Sequence, residues 1–496
     1  MKRVTPYILL LLMATVSCTT NIPSTYTDSN TTVDIFPNLT DLTIPSNIAP
    51  LYFTINNKAE KCIVRISNGS IEYIHSGKTF TIPQKKWHKL LAAGNSIEID
   101  IFILNNKWEK LPTTSWHIAE EIDPYISYRV IPPSVESYER LSINQRNLTN
   151  FEEEVIYANS MVQSGNNGQC INCHHYRNWG TEQMMFHARQ YLGGTLIIEN
   201  GEMKKINLKT DSTISAGVYP AWHPTHNYIA FSTNKTKQSV HTNLNNRIEV
   251  FDTESDLILY NTQKNSVSII ENDSAEFECF PAWTPDGKTL YYVSAHFDYE
   301  FGPKREEYIV NNFDKIHYNL YRKSFNPETA TWGESELVYD AAAEGKSITL
   351  PRISPDGRYL MFTMGDYGVF HIWHKDANLY LMDLKSSQIR PLSEINSNDV
   401  ESYHSWSSNG KWVIFSTRRD DGGFTRLYLT HREEDGSFSK PFPIPQKSPD
   451  YEGNFMYSYN IPEFMKEPVS ITPKEIASFF KSAETIQANF TQTTNQ

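Results

Sequence analysis

Between residues 220 and 416 one pattern returns four times, and few folds can accommodate it. Pro220-Ala221-Trp222-His223-Pro224 runs into Tyr228-Ile229-Ala230-Phe231-Ser232, and Pro281-Ala282-Trp283-Thr284-Pro285-Asp286-Gly287-Lys288 into Thr289-Leu290-Tyr291-Tyr292-Val293. Pro351-Arg352-Ile353-Ser354-Pro355-Asp356-Gly357-Arg358 leads to Tyr359-Leu360-Met361-Phe362, and His404-Ser405-Trp406-Ser407-Ser408-Asn409-Gly410-Lys411 to Trp412-Val413-Ile414-Phe415-Ser416. Each copy reads as a strand, a tight turn, an apolar strand, a variable loop and an amphipathic strand such as Asn378-Leu379-Tyr380-Leu381-Met382-Asp383. Pro at the second turn position followed by Asp-Gly favours a sharp reversal. One such unit cannot bury both of its faces, whereas radial stacking of several does, which predicts a β-propeller. Asp286 and Asp356 belong to these turns and read as turn-makers, as do Asp420-Asp421-Gly422-Gly423. His223, His241, His296, His371, His374 and His404 are scattered over the copies and read as surface or satisfied core histidines.

Upstream, Leu51-Tyr52-Phe53-Thr54-Ile55, Lys61-Cys62-Ile63-Val64-Arg65-Ile66, Ile71-Glu72-Tyr73-Ile74 and Ile97-Glu98-Ile99-Asp100-Ile101-Phe102-Ile103 are short β-runs separated by turn residues. They predict a small β-sandwich over 36–135, with Trp87 and Trp108 as core rather than site. Between the two β-rich regions, 136–192 reads as a helical segment. Asn150 caps an acidic first turn ahead of Val155-Ile156-Tyr157, and Thr181 caps Glu182-Gln183-Met184-Met185-Phe186-His187-Ala188.

That segment carries Cys170-Ile171-Asn172-Cys173-His174. Two thiols at this spacing can add to the vinyl groups of a haem while the next His lies under the iron, so the motif reads as a c-type haem attachment site. A zinc knuckle wants a second Cys/His pair, and only His175 and His187 lie nearby. A thioredoxin-like dithiol wants a βαβ context that is absent. On the haem reading Cys170 and Cys173 bind the cofactor, His174 is the proximal iron ligand, and Met184 or His187 is the distal one. Those last two are three residues apart and share one face if the segment is helical. His175 is poorly placed to reach the opposite side of the same iron.

The chain opens with Met1-Lys2-Arg3 and an apolar run from Tyr7 to Val16, too short for a membrane span, ending at Ser17-Cys18. This predicts a signal peptide over 1–17 and a lipid-modified Cys18, in a context resembling a bacterial lipobox although Thr15 stands where Leu is usual. A periplasmic, membrane-anchored protein follows, the membrane and its face being open, with 18–35 as a polar tether. Cys62 and Cys279 read as two separate buried thiols. A formal net charge of -12 argues against a nucleic-acid partner. At the other end, Thr472-Pro473-Lys474-Glu475 is a capping box, which predicts a short helix within a C-terminal segment 466–496.

With the repeats, the C-x-x-C-H and Asp123-Pro124-Tyr125-Ile126-Ser127-Tyr128-Arg129 together, the chain resembles TolB-like propeller lipoproteins of Bacteroidetes-type bacteria that carry one c-type haem motif. The resemblance implies a mainly β fold with a propeller over 193–465. TolB itself implies six blades, against four strong copies and a partial one near 193–212. The resulting expectation is a lipid-anchored monohaem cytochrome with haem c as cofactor. It would carry single electrons to an unknown periplasmic redox or envelope partner, with the propeller as docking platform. The alternative is an envelope scaffold in which the haem is structural or a sensor. No Gly-x-Ser-x-Gly elbow points to a hydrolase.

Overall fold

The protein is mainly β, and its sheets are built almost wholly from antiparallel neighbours. A computed structural model describes residues 21–133, 139–165, 167–241, 246, 248–296, 304–492 and 494–495. The signal peptide and Cys18 lie outside the described residues.

The repeated turns fold as their composition dictates. Asp286 Oδ1 accepts from Thr284 Oγ1 at 2.6 Å and from Lys288 N at 3.0 Å. Asp356 Oδ1 does the same with Ser354 Oγ at 2.5 Å and Arg358 N at 3.1 Å. Asn409 takes the role in the fourth copy, accepting from Ser407 Oγ at 2.6 Å and Lys411 N at 3.0 Å. A short polar side chain that bonds the backbone two residues on closes the turn, so these positions serve geometry.

Six four-stranded units follow from this pattern, and we number them by the chain order of their innermost strands. These strands are Gln169–Arg177, Val218–Trp222, Glu276–Trp283, Ser347–Ile353, Glu401–Trp406 and Ser458–Met465. Each lies against the next, and the last lies against the first, so the six close a ring. In units 1 to 5 the other strands come from the residues that follow directly. Unit 6 is different: Ser458–Met465 hydrogen-bonds to Tyr125–Ile131, which continues into Ser142–Asn147 and Glu153–Ala158. The ring is thus closed by pairing a strand that follows unit 5 with strands that precede unit 1 in the chain.

The segment 136–192 is a correction to the sequence reading, because it holds no α-helix among the described residues. Its elements are the strands Ser142–Asn147, Glu153–Ala158, Gln169–Arg177 and Gly180–Gln190 and one 3-10 turn, Asn159–Met161. Met184, Phe186 and Ala188 pack into one core cluster while Met185 packs into another. A strand buried on both faces is apolar throughout, and such a run cannot be told from a helix by periodicity. The sheets also run across the expected boundaries at 135/136 and 192/193, since Tyr125–Ile131 pairs with Ser142–Asn147 and Gly180–Gln190 with Gly194–Glu199.

The N-terminal region holds a seven-stranded and a three-stranded sheet with the helix Gln84–Leu91. Residues of the expected tether join them: Thr27–Asp28 pairs with Trp108–Lys110, and Ile35–Phe36 with Phe53–Ile55. Trp87 and Trp116 are buried together there, and the same apolar core includes Trp412, Ile414, Leu427 and Leu429 of unit 5. Burial of so much shared apolar surface fixes this region to the ring. Cys62 and Cys279 are separate buried thiols.

At the C-terminus the capping box forms as expected. Thr472 Oγ1 accepts from Glu475 N, and the Glu475 carboxylate accepts from Thr472 N, at the start of Pro473–Ser482. Ile476, Ala477 and Phe480 of this helix bury against the core of units 1 and 6. The chain then runs along the rim. Ile486–Gln487, Asn489–Phe490 and Thr494–Asn495 pair in turn with the outermost strands of units 1, 2 and 3. No helix among the described residues is long and apolar enough to cross a membrane.

Candidate functional site: the axial cavity

The inner strands share a distortion that shapes the centre of the ring. In five of them one residue takes a left-handed conformation: Cys173 (φ 58), Tyr219 (φ 48), Phe280 (φ 52), Leu350 (φ 54) and Ile461 (φ 51). The strand register shifts beside each. Unit 5 shifts register between Glu401 and His404. A bulge inserts an extra residue and re-aims the side chains that follow. Pro, which cannot donate to a ladder, is tolerated beside such a break, and Pro220, Pro281, Pro351 and Pro462 stand directly after it. His174 and His404 occupy that position in units 1 and 5.

The next position is Ala221 in unit 2 and Ala282 in unit 3, but His175, Arg352, Ser405 and Glu463 in units 1, 4, 5 and 6, and these four line the central cavity. These four polar residues form one network. Arg352 Nη2 donates to Glu463 Oε1 at 2.7 Å, Arg352 Nη1 contacts His175 Nε2 at 3.1 Å, and Ser405 Oγ donates to Glu463 Oε2 at 3.2 Å. A guanidinium can only donate, so His175 accepts at Nε2 and is the Nδ1–H tautomer. That Nδ1–H has no protein acceptor. Burial and the neighbouring Arg352 hold the His175 imidazole well below its ordinary pKa, so it is neutral. Burial raises the Glu463 carboxyl, and Arg352 opposes that rise.

Above this network the following position supplies Trp222, Trp283 and Trp406, and the hairpin turn of unit 1 adds Trp179. Together with the network they line an open cavity of about 190 Å³. Below it, Cys173, Tyr219, Phe280, Leu350, Tyr403 and Ile461 line a smaller space of about 40 Å³. His175 and Arg352 border both. The axis is therefore an aromatic mouth, a polar neck and an apolar chamber.

The structure disperses the residues expected to hold a haem. Cys173 and His174 sit in the bulge and are buried, His174 being 1% exposed. Burial, then the nearby Arg129, lowers its pKa to about 3. Met184 and His187 lie on a strand, where residues three apart point to opposite faces. Met184 is packed with Tyr157, Phe186 and Phe480, and His187 Nδ1 bonds Thr195 Oγ1 at 3.0 Å. Cofactor pockets run to about 300–1,000 Å³, and the space beside His174 is about 40 Å³. The residues present do not fit the macrocycle. Among the described residues no group of three or more His, Cys, Asp or Glu side chains is placed to hold a metal ion.

No family model matches the chain, and neither does any curated protein. Among solved structures it is similar to a point mutant of the Synechocystis apocarotenoid oxygenase, at 12% identity over 85% of this chain and 96% of that one, with a TM-score of 0.38. A chimera of that enzyme with RPE65 gives 12%, 85%, 96% and 0.37 in the same order. The GH74 enzyme of Niastella koreensis gives 12% identity over 55% of this chain and 37% of that one, with a TM-score of 0.34. Likeness of this degree lends no activity to this chain.

These findings correct the sequence reading. The space of about 40 Å³ beside the buried Cys173 and His174 does not admit a haem, and among the described residues no group of three or more His, Cys, Asp or Glu side chains is placed to hold a metal ion. Membership of a TolB-like haem lipoprotein family, haem c as cofactor, the one-electron carrier and the envelope-scaffold alternative all fall with it.

Sequence reasoning missed the neck. His175 had been set aside as badly placed for a haem iron, and Glu463 lay outside the recognised repeats. Arg352 was within reach of the sequence, because it breaks the Pro-Ala-Trp pattern with a cation at a position that is otherwise Ala.

Proposed function

We propose that the ring is a six-bladed β-propeller preceded by a β-sandwich, and that it binds a small, uncharged, polar molecule in its axial cavity. The observation that carries this reading is the polar network at the floor of the cavity, where Arg352, Glu463, His175 and Ser405 all line the same space. Arg352 uses two of its five N–H donors within the protein, and 29% of its side chain remains exposed. The Arg352–Glu463 pair sums to zero charge and His175 is neutral, so a charged ligand would leave its own charge uncompensated in a confined site. A planar fork beside a carboxyl instead suits hydroxyl groups, which both donate and accept. The cavity, at about 190 Å³, holds roughly six water volumes, the scale of one small ring.

Titration calorimetry of the full chain with D-glucose, myo-inositol and sorbitol tests this. At least one of them is expected to bind in the millimolar range or tighter. Arg352→Met should weaken that binding by about ten- to a hundredfold, the worth of a hydrogen bond to a charged group. No binding by any of the three, or binding unaffected by Arg352→Met, sinks the axial reading.

The lipid anchor at Cys18 and the periplasmic address belong to the same proposal, supported by the apolar leader and the polar stretch that follows it. Cys18→Ser is expected to move the protein from the membrane to the soluble periplasmic fraction. Recovery of the variant in the membrane fraction would count against lipidation at Cys18.

A further inference from the structure

We infer that Trp179 is the stacking and specificity-determining residue of the axial cavity, and that the molecule taken there is a neutral pyranose sugar. The inference rests on the axial reading above and deepens it.

Asn178 and Trp179 form the two-residue turn that joins the first two strands of unit 1, where Arg177 pairs with Gly180. Both residues are left-handed, with φ of 50 and 63. Two-residue hairpin turns of this kind favour Asn then Gly. Asn178 suits its place. Trp179 does not, because a left-handed conformation brings the Cβ of an L-residue against its own backbone and is a genuine outlier for a bulky one.

The surroundings hold the strained turn across the cavity mouth. Trp179 Nε1 donates to the Trp406 carbonyl of unit 5 at 2.7 Å, and Lys466 N donates to the Trp179 carbonyl at 3.0 Å. Asn178 Nδ2 donates to the Pro224 carbonyl of unit 2 at 2.8 Å. Strain kept in place by several independent contacts points to a use for the side chain. The indole of Trp179 lines the mouth with those of Trp222, Trp283 and Trp406.

The ligand class follows from what this wall and floor offer together. Trp179 is the partly exposed indole of this wall, Trp222, Trp283 and Trp406 being 4%, 9% and 3% exposed, and the neck offers fork-shaped donors and a carboxyl at the floor. A flat aromatic molecule would match the indoles and leave the donors unused. An open-chain polyol would match the donors and leave the indoles bare. A pyranose has a C–H-rich face and a rim of hydroxyls, and matches both.

The test is calorimetry and tryptophan fluorescence on the full chain with D-glucose, D-galactose and D-mannose, with sorbitol as the open-chain control. At least one hexose is expected to bind at least tenfold more tightly than sorbitol. Trp179→Gly and Trp179→Asn both suit a left-handed turn. They should fold, as judged by circular dichroism and thermal melting, yet lose hexose affinity tenfold or more. Trp179→Phe, which keeps an aromatic face, should stay within threefold of the parent. Full hexose affinity in Trp179→Asn would make Trp179 a structural latch and overturn the inference. Sorbitol binding as tightly as every hexose would overturn it too, while leaving the axial cavity a binding site. Absence of binding by the hexoses and sorbitol alike would remove both.

Discussion

A chain that ends before Ser458 is expected to lose cooperative folding altogether. Ser458–Met465 is the innermost strand of unit 6, and Tyr459, Ile461, Phe464 and Met465 are buried along it. Truncating a buried aromatic or aliphatic side chain to Ala costs about 2–5 kcal/mol, so losing four approaches or exceeds the 5–15 kcal/mol that holds a typical protein together. The loss is compounded at the neck, because Glu463 leaves Arg352 and Ser405 without their shared partner. The open edge of Tyr125–Ile131 would then invite pairing with another chain. Thermal melting and limited proteolysis check this. A sharp transition within a few degrees of the parent would mean that the ring does not depend on its closure. Phe464→Ala makes the milder comparison, expected to keep the fold and cost about 3–5 kcal/mol.

Stability should peak near pH 6.5 and fall on the acid side. Burial is the largest cause in each of seven histidines whose pKa falls below the ordinary 6.5: His75 and His175, with His174 and His371 to about 3, and His187, His223 and His404 to about 4. Each is protonated in the unfolded chain but not in the folded one between its folded value and 6.5, so its contribution is lost as pH falls through that window. Burial acts in the opposite sense on five carboxyls, raising Glu452 and Glu463, with Asp256 to about 6, Asp252 to about 7 and Glu278 to about 9. The folded chain holds those protons while the unfolded chain releases them, which favours the folded state as pH falls. From about pH 6 down to 4 the buried histidines set the sign, and their combined loss is on the order of a few kcal/mol, a large share of the stability of an ordinary protein. Above 6.5 the sign reverses and Glu278 dominates, with a loss of about 3 kcal/mol by pH 9. Melting temperatures measured from pH 4 to 9 should trace this bell. A flat profile from 4.5 to 7 would contradict the burial of the histidines. Glu278→Gln should flatten the alkaline limb alone.

How much of this was legible in the residues varied with how local the determining physics is. The turns of units 3, 4 and 5 carry Pro-Asp-Gly or Ser-Asn-Gly, which close a hairpin whatever surrounds them, and those units were readable. Unit 1 turns on Asn178-Trp179, which no composition rule favours, and its second strand, Gly180–Gln190, is rich in good helix formers. Burial between two neighbouring units overrides that propensity. Unit 6 was hidden because its strands come from before unit 1 and after unit 5, a pairing that no window of sequence contains. The Cys170–His174 motif shows the converse. Its spacing is that of a haem attachment site, but a left-handed bulge and burial in the ring leave no room for the macrocycle. At the neck, Arg352 and Ser405 stood inside recognised repeats. His175 and Glu463 became site residues once the bulges of six strands could be laid side by side.

Ring closure also sets a timetable. Ile131 leaves the ribosome well before Ser458, and at about 5–20 residues per second that delay is roughly 15 to 65 seconds. Throughout it the strands destined for the last blade have no inner neighbour. Contacts between such distant parts of a chain form slowly once both are present. The rate of maturation should therefore be governed by the arrival and docking of the C-terminal strand, and a holding chaperone would act chiefly on the half-made ring.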